Sequence, residues 1–282
     1  MNFREKLKSG KFVFTAEIDP PTDTRYEKTL ESVRILKEAG YDAVNVADNP
    51  MARVRMCAIA LSHIVQRETG IEAVLHFTCR DRSLLGMQSA LLGAGALGIR
   101  NILAIKGDEP KLGDTPNSTP VYDIDTIGLI GMIRRFNSGE TLSGKKITPT
   151  DFFVGTSLNI NAGDVEKEIE RFERKIEAGA EFAMTQPVYD VEHLREFLGV
   201  LKPKVPLVVG VLPIPDYRMA KYLNEKVPGI KIPQEIIEEI KKDEHAGVDI
   251  ARELLGEIKK LANGAYVMPL NRYELACEII RG

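Results

Sequence analysis

Two carboxylates close apolar runs in this chain. Glu17 stands in Phe12-Val13-Phe14-Thr15-Ala16-Glu17-Ile18, and Asp108 ends Asn101-Ile102-Leu103-Ala104-Ile105-Lys106-Gly107-Asp108. An acid at the end of a buried strand can hold or release a proton where water is scarce. Other apolar runs end in complementary groups: Asp48 with Asn49, His76 with Thr78, Ser157 with Asn159 and Asn161, and Gln186, while Arg272 follows the last run. Brought to one place, these supply carboxylates, a cation in Lys106, amides, and an apolar wall from Leu212-Pro213-Ile214-Pro215. That mixture suits a large planar polar ligand. Only one histidine among these groups and no tight His/Asp cluster count against a metal centre. Each group also has a plainer use. Glu17 can meet solvent or an arginine, His76 can be a satisfied core histidine, and Lys106 an ion-pairing surface lysine. Asn159 and Asn161 can cap loops, and Arg272 can open a helix.

What would gather them is a repeated strand–helix unit. Strands are expected at 12–18, 43–48, 73–79, 101–108, 152–159, 182–187, 206–212 and 265–270. Helices are expected at 26–39, 54–68, 83–97 and 124–136, then from Asp164, from Val191, and over 272–280. Val165, Ile169, Phe172 and Ile176 have the spacing of one buried helical stripe. Extra helices at 216–224, 233–242 and 243–261 follow the seventh strand. Two polar loops, 109–120 and 137–150, interrupt the pattern, and a short amphipathic lead-in, Phe3 to Leu7, precedes it. Glu38-Ala39-Gly40-Tyr41-Asp42-Ala43-Val44 and Glu177-Ala178-Gly179-Ala180-Glu181-Phe182-Ala183 repeat one helix-end, glycine-turn, strand-start device, with a looser copy at Gly95–Ile102. Eight such units over 282 residues predict a (β/α)8 TIM barrel, a single domain over residues 1–282, with active-site groups at the carboxyl ends of the strands. Gly93-Ala94-Gly95-Ala96-Leu97-Gly98 matches a dinucleotide fingerprint, but it closes a helix and precedes a strand, which is the reverse of the required context.

Composition narrows the classes. The chain is 44% hydrophobic and 28% charged with net charge -3, and no long basic run marks a nucleic-acid partner. Residues 84–105, the longest weakly polar stretch, are broken by glycines and Arg100-Asn101, so no membrane span is expected. Cys57, Cys79 and Cys277 are widely spaced. With no apolar signal core at the start, they fit a cytoplasmic protein.

Seven stretches in order along the chain resemble the methylenetetrahydrofolate reductase family: Ala16–Pro21, His76–Cys79, Ala104–Pro110, Arg174–Ala180, Met184–Gln186, Gly210–Ile214 and Leu270–Arg272. The resemblance implies a flavin-dependent barrel that carries FAD rather than FMN. It implies reduction of 5,10-methylenetetrahydrofolate to 5-methyltetrahydrofolate, or the reverse oxidation. By that likeness Glu17 is the general acid, and its pKa should be raised by burial so that it stays partly protonated near neutral pH. Asp108 lies between flavin and pterin, and Gln186, Leu212 and Arg272 contact folate. His76, Lys106, Gly107, Tyr122, Asp125, Ser157, Asn161 and Lys175 contact the flavin, with Lys106 and Lys175 meeting phosphate.

The chain departs from the better-known bacterial members at several of these places. Ala47-Asp48 stands where they have Thr-Tyr, Lys106 where they have arginine, Ser157 where they have tyrosine, and Asn161 where they have histidine. Changes around the flavin and nicotinamide count against NADH or NADPH as the direct donor. They point to an electron-donor partner protein carrying iron-sulfur clusters or a flavin. A homo-oligomer is compatible with the chain. Other readings of the same residues are a Schiff-base aldolase using Lys106, a folate-binding methyltransferase barrel without flavin, and a non-catalytic partner subunit.

Overall fold

A computed structural model describes residues 1–227, 229–243 and 245–281; Pro228, Glu244 and Gly282 lie outside the described residues. Eight parallel strands close into a barrel in sequence order: β1 (Val13–Ile18), β2 (Ala43–Val46), β3 (Glu72–Thr78), β4 (Asn101–Ile105), β5 (Phe153–Leu158), β6 (Phe182–Pro187), β7 (Leu207–Val211) and β8 (Gly264–Val267). β8 returns to pair with β1 through Val13 opposite Gly264 and Thr15 opposite Tyr266. The helices are α1 (Phe3–Lys8), α2 (Glu27–Ala39), α3 (Ala58–Thr69), α4 (Leu84–Ala96), α5 (Thr126–Asn137), α6 (Val165–Ala178), α7 (Val191–Leu201), α8 (Tyr217–Lys226), α9 (Gln234–Lys242), α10 (Ala246–Leu261) and α11 (Tyr273–Arg281). This is the expected (β/α)8 architecture.

The repeated glycine device has a backbone cause. Gly40, Gly98 and Gly179 all have positive φ, at 104°, 81° and 124°. A left-handed residue there ends the helix and turns the chain into the next strand, at little cost only for glycine. Asp125, Asp164, Asp190 and Asp216 cap the opposite ends of α5, α6, α7 and α8 with side-chain acceptors.

The amino-terminal end of the barrel is plugged by aromatic rings. Phe153 and Phe182 stack at 4.7 Å, and Phe3 of α1 packs edge-on to Phe182 at 5.6 Å. Asn2 and Glu5 form a capping box that fixes α1 there. Gly155 makes room for the plug, since a Cβ on it would sit 2.2 Å from the Phe182 ring. Gly155→Val should therefore cost about 3 kcal/mol of stability through overpacking, read as a lower urea midpoint with an unchanged m-value; an unchanged midpoint would mean that the ring swings aside freely.

Several boundaries differ from expectation: β2, β4 and β8 end at Val46, Ile105 and Val267, two to three residues before the expected ends, and two helices start late. α3 begins at Ala58 rather than at Val54, because residues 49–52 form a tight turn instead: Asn49, Met51 and Ala52 all have left-handed φ. α10 begins at Ala246 rather than at Asp243, because Asp243 ends α9 by donating its N–H to the Glu239 carbonyl.

Candidate active site

Side chains on a barrel strand alternate between interior and helix layer, so each two-residue step climbs one interior layer. Glu17 then Asp19, His76 then Thr78, Leu103 then Ile105, and Tyr266 then Met268 climb in this way. All eight line a cavity of about 420 Å³ at the carboxyl ends of the strands. A bulge in the β6–β7 pairing between Met184 and Pro187 accompanies Gln186 at the rim.

Glu17 is the most perturbed acid of this cavity. The Tyr266 hydroxyl donates a hydrogen bond to its Oε2. Burial pushes the Glu17 carboxyl up to about 7, the negative charges of Asp19 and Asp108 add to the effect, and the Tyr266 bond works against it. Asp19 is also raised by burial, opposed by Arg55 and by the nearby Asn271 side chain. Tyr266 is driven well above its usual range by burial and by the Glu17 charge, so it acts only as a neutral hydroxyl. His76, 3.2 Å from Asn45 Nδ2, is pushed down to about 4 by burial and is neutral at pH 7.

Asp108 reaches the same cavity from beyond β4. Gly107, at φ 90°, bends the chain there, and a Cβ on it would press at 3.1 Å against Thr78 and Arg80. The Met51 N–H donates to Asp108 Oδ2 at 2.7 Å. The turns at Pro50–Ala52 and Pro110–Leu112 lie in close contact, and a Cβ on Gly113 would fall 1.9 Å from the Ala52 carbonyl oxygen. Asp48 anchors the first of these turns. Its Oδ2 accepts from the Thr78 N–H and hydroxyl, both at 3.0 Å, and Arg82 donates to both its oxygens at 2.7 and 3.2 Å. The Arg82 guanidinium also lies over the Phe77 ring at 4.6 Å.

The fold thus brings together Glu17, Asp48, His76, Thr78, Gly107, Asp108, Ser157, Gln186 and Leu212 around one cavity. It does not bring in the other groups singled out in the sequence. Lys106 points outward, its ammonium 2.7 Å from Glu109 Oε1 and over the Tyr122 ring. Glu109 holds it protonated, the opposite of what an imine-forming amine requires. Tyr122 donates to the Gly107 carbonyl at 3.4 Å, and Asp125 caps α5. Lys175 is buried behind β5, where its amine donates to the Ser157 carbonyl at 2.7 Å, and burial pulls its pKa down to about 8. Asn159 donates its N–H to the Glu168 carboxylate, Asn161 donates to the Gly229 carbonyl at 3.3 Å, and Arg272 lies 3.7 Å from Asp216.

Other cavity groups were not singled out: Asp19, Met51, Arg55 and Tyr266, and Met219, Tyr222 and Leu223 on α8. Asp19 was readable as the inward neighbour of Glu17 two positions on. Tyr266 was readable from the same alternation on β8. The closure of α8 over the mouth carries no local signal. Among the described residues no cluster of His, Cys, Asp and Glu could hold a metal ion, and no helix is long and apolar enough to cross a membrane.

The methylenetetrahydrofolate reductase family model matches residues 2–282. Methylenetetrahydrofolate reductase 2 of Saccharomyces cerevisiae is 30% identical over 232 residues, covering 76% of this chain and 36% of the yeast protein. The chain therefore spans well under half the length of that relative. The 5,10-methylenetetrahydrofolate reductase of Pectobacterium carotovorum is 26% identical over 230 residues, covering 78% of this chain and 72% of that one. Among solved structures, a Clostridium thermocellum protein described as binding two copies of 5-methyl-5,6,7,8-tetrahydrofolic acid shares the fold, with a TM-score of 0.70 at 15% identity, over 98% of this chain and 95% of that one.

Proposed function

Because the chain belongs to the methylenetetrahydrofolate reductase family, we propose that its barrel mouth interconverts 5,10-methylene- and 5-methyltetrahydrofolate with a bound flavin, FAD rather than FMN. The observation that carries this reading is Glu17, an acid lining the mouth whose proton is held up to about pH 7. Opening the methylene bridge breaks a carbon–nitrogen bond, and the leaving ring nitrogen must take a proton. The Glu17 carboxyl supplies that proton, and in the reverse direction its carboxylate takes it back. Asp108 has Oδ2 engaged by Met51; its other oxygen meets the amino edge of a pterin. Gln186 on β6 and Leu212 just beyond β7 supply an amide and an apolar face at the same mouth.

The mouth fits a flavin ring. Leu103, Ile105 and Met184 give apolar walls, while His76, Asp108 and Ser157 stand at polar edges. These residues, with Gly107, would hold the ring, and a bound flavin supplies or accepts the hydride. Lys175 is not available to a phosphate, since its amine serves the Ser157 carbonyl. Lys106 offers a rim cation already engaged by Glu109.

Electrons reach this site from a partner protein rather than from a nicotinamide. Where an aromatic would be needed to stack one, the rim carries Ala47 and an Asp48 committed to Arg82. The test is the visible spectrum of the purified, FAD-reconstituted protein under anaerobic conditions. Methyltetrahydrofolate should bleach the flavin and NADH should not do so rapidly. A protein that cannot be made to bind flavin would overturn the reading as a whole; rapid bleaching by NADH would overturn the partner.

A further inference from the structure

Glu17 and Asp19 lie two positions apart on one strand end, so they share the interior face and the same cavity. Two carboxylates this close do not ionise independently; the pair loses its protons in two steps that belong to both. Their other neighbours differ, and the difference decides which one keeps the charge. Arg55 Nη2 stands 4.0 Å from Asp19 Oδ2, and the nearby Asn271 side chain also favours the charged form of Asp19. Asn271 is itself held in left-handed conformation at φ 64° and accepts from the Tyr273 hydroxyl at 3.1 Å. Arg55 is fixed from its backbone, its N–H donating to Asn49 Oδ1 at 3.0 Å, and its Nε is buried without a protein partner. A cation and a nearby amide favour an ionised carboxylate. Glu17 has no cation. Its hydroxyl partner, Tyr266, occupies Oε2 and leaves Oε1 for a transferable proton.

We propose that Glu17 and Asp19 act as a carboxylate pair holding one proton, with Arg55 and Asn271 keeping the charge on Asp19 so that the proton stays on Glu17. Asp19 is thus a positioning residue for the acid, acting through its charge. The proton balance is simple. Glu17 gives its proton to the leaving nitrogen, and the pair, then doubly ionised, regains one proton from water. The groups facing Glu17 are Asp19 just beyond β1, Asp108 beyond β4, His76 on β3, Tyr266 on β8 and Tyr273 on α11, with Arg55 behind Asp19. Asp108 differs from Asp19 in that its Oδ2 accepts a backbone N–H, that of Met51. The donor role of Glu17 rests on the function proposed above; the shared proton does not.

The test is infrared difference titration of the full chain without substrate. The protonated-carboxyl band of Glu17 is identified by its loss in Glu17→Gln. In the unsubstituted protein it should disappear with a midpoint near pH 7. Asp19→Asn removes a like charge and should lower that midpoint by about one pH unit. Arg55→Met removes the counter-cation, so the pair binds its last proton more tightly, and the midpoint should rise. A merely structural role for Asp19 moves neither midpoint, and opposite shifts from a carboxylate and its partner arginine are not the signature of misfolding. An unmoved midpoint in either folded variant, or shifts of the same sign in both, overturns the pair. Absence of turnover with methyltetrahydrofolate in the unsubstituted protein would instead overturn the function, leaving the titration to stand by itself.

Discussion

Glu17→Gln should slow the reaction with methylenetetrahydrofolate by about 10³-fold, within the usual range for loss of a general acid, while reduction of the bound flavin by its donor proceeds at the original rate. The glutamine amide preserves shape and can still accept from Tyr266, but it has no acidic proton to give. The two halves of the reaction therefore separate: stopped-flow reduction by dithionite or by the donor protein is unchanged, and reoxidation by folate nearly stops. Equal loss in both halves would make Glu17 a structural group.

The same substitution has a signed effect on stability. The ordinary carboxyl value is 4.5, and burial holds Glu17 up to about 7. The folded protein keeps a proton there that the unfolded chain releases. The stability associated with this group is complete below about pH 4.5 and is lost as pH rises through about 7. Glu17→Gln, which cannot ionise, should raise Tm relative to the unsubstituted protein at pH 8 and change it much less at pH 5. Equal shifts at both pH values would place the carboxyl in a solvated, unperturbed setting.

Asp48→Ala should be the most destabilising single change at the mouth, by about 3–5 kcal/mol, because it leaves a cation without its partner inside the protein. The Asp48 side chain is 2% exposed and that of Arg82 18%. Asp48 also accepts from the Thr78 N–H and hydroxyl, and those donors would lose their acceptor as well. The turn that presents the Met51 N–H to Asp108 begins at Asp48, so the loss extends into the site. Urea denaturation at pH 7 measures the effect. Adding Arg82→Met should recover part of the loss, since no unpaired guanidinium then remains. A change below about 1 kcal/mol for Asp48→Ala would show that water reaches this pair and screens it.

How much of this was readable in advance depended on whether the signal was local. The barrel followed from eight repeats of one unit, and the repeats were marked by glycines such as Gly40 and Gly179, whose left-handed conformation no other residue adopts as readily. Glu17, His76, Ser157 and Gln186 were visible as polar groups at the ends of apolar strands, and all line the cavity. Strict alternation would have done better for Lys106. Leu103 and Ile105 face inward, so Lys106 must face out, and only the bend at Gly107 returns Asp108 to the interior. Asp19 follows from the same alternation as Glu17, but its place directly before Pro20-Pro21 makes it read as part of a turn. Alternation on β8 also places Tyr266 inward, but an aromatic in an apolar strand looks like core. Lys175 flanks the apolar stripe of α6, of which only Phe172 is fully buried, and that its amine turns inward to a strand carbonyl depends on packing between β5 and α6. The placement of α8 over the mouth, with Met219 and Tyr222 at the cavity, depends on long-range docking that no short pattern encodes.

The central claim is that Glu17 exchanges its proton with folate in both directions, and the pH dependence of single-turnover rates tests it most directly. Flavin reoxidation by methylenetetrahydrofolate needs the protonated acid. It should be level at low pH and fall about tenfold per unit above pH 7. Flavin reduction by methyltetrahydrofolate needs the carboxylate and should rise through the same midpoint. Mirror-image profiles crossing near neutrality are the expected result; two profiles that run in the same direction, or that are flat from pH 5.5 to about 8.5, would contradict it.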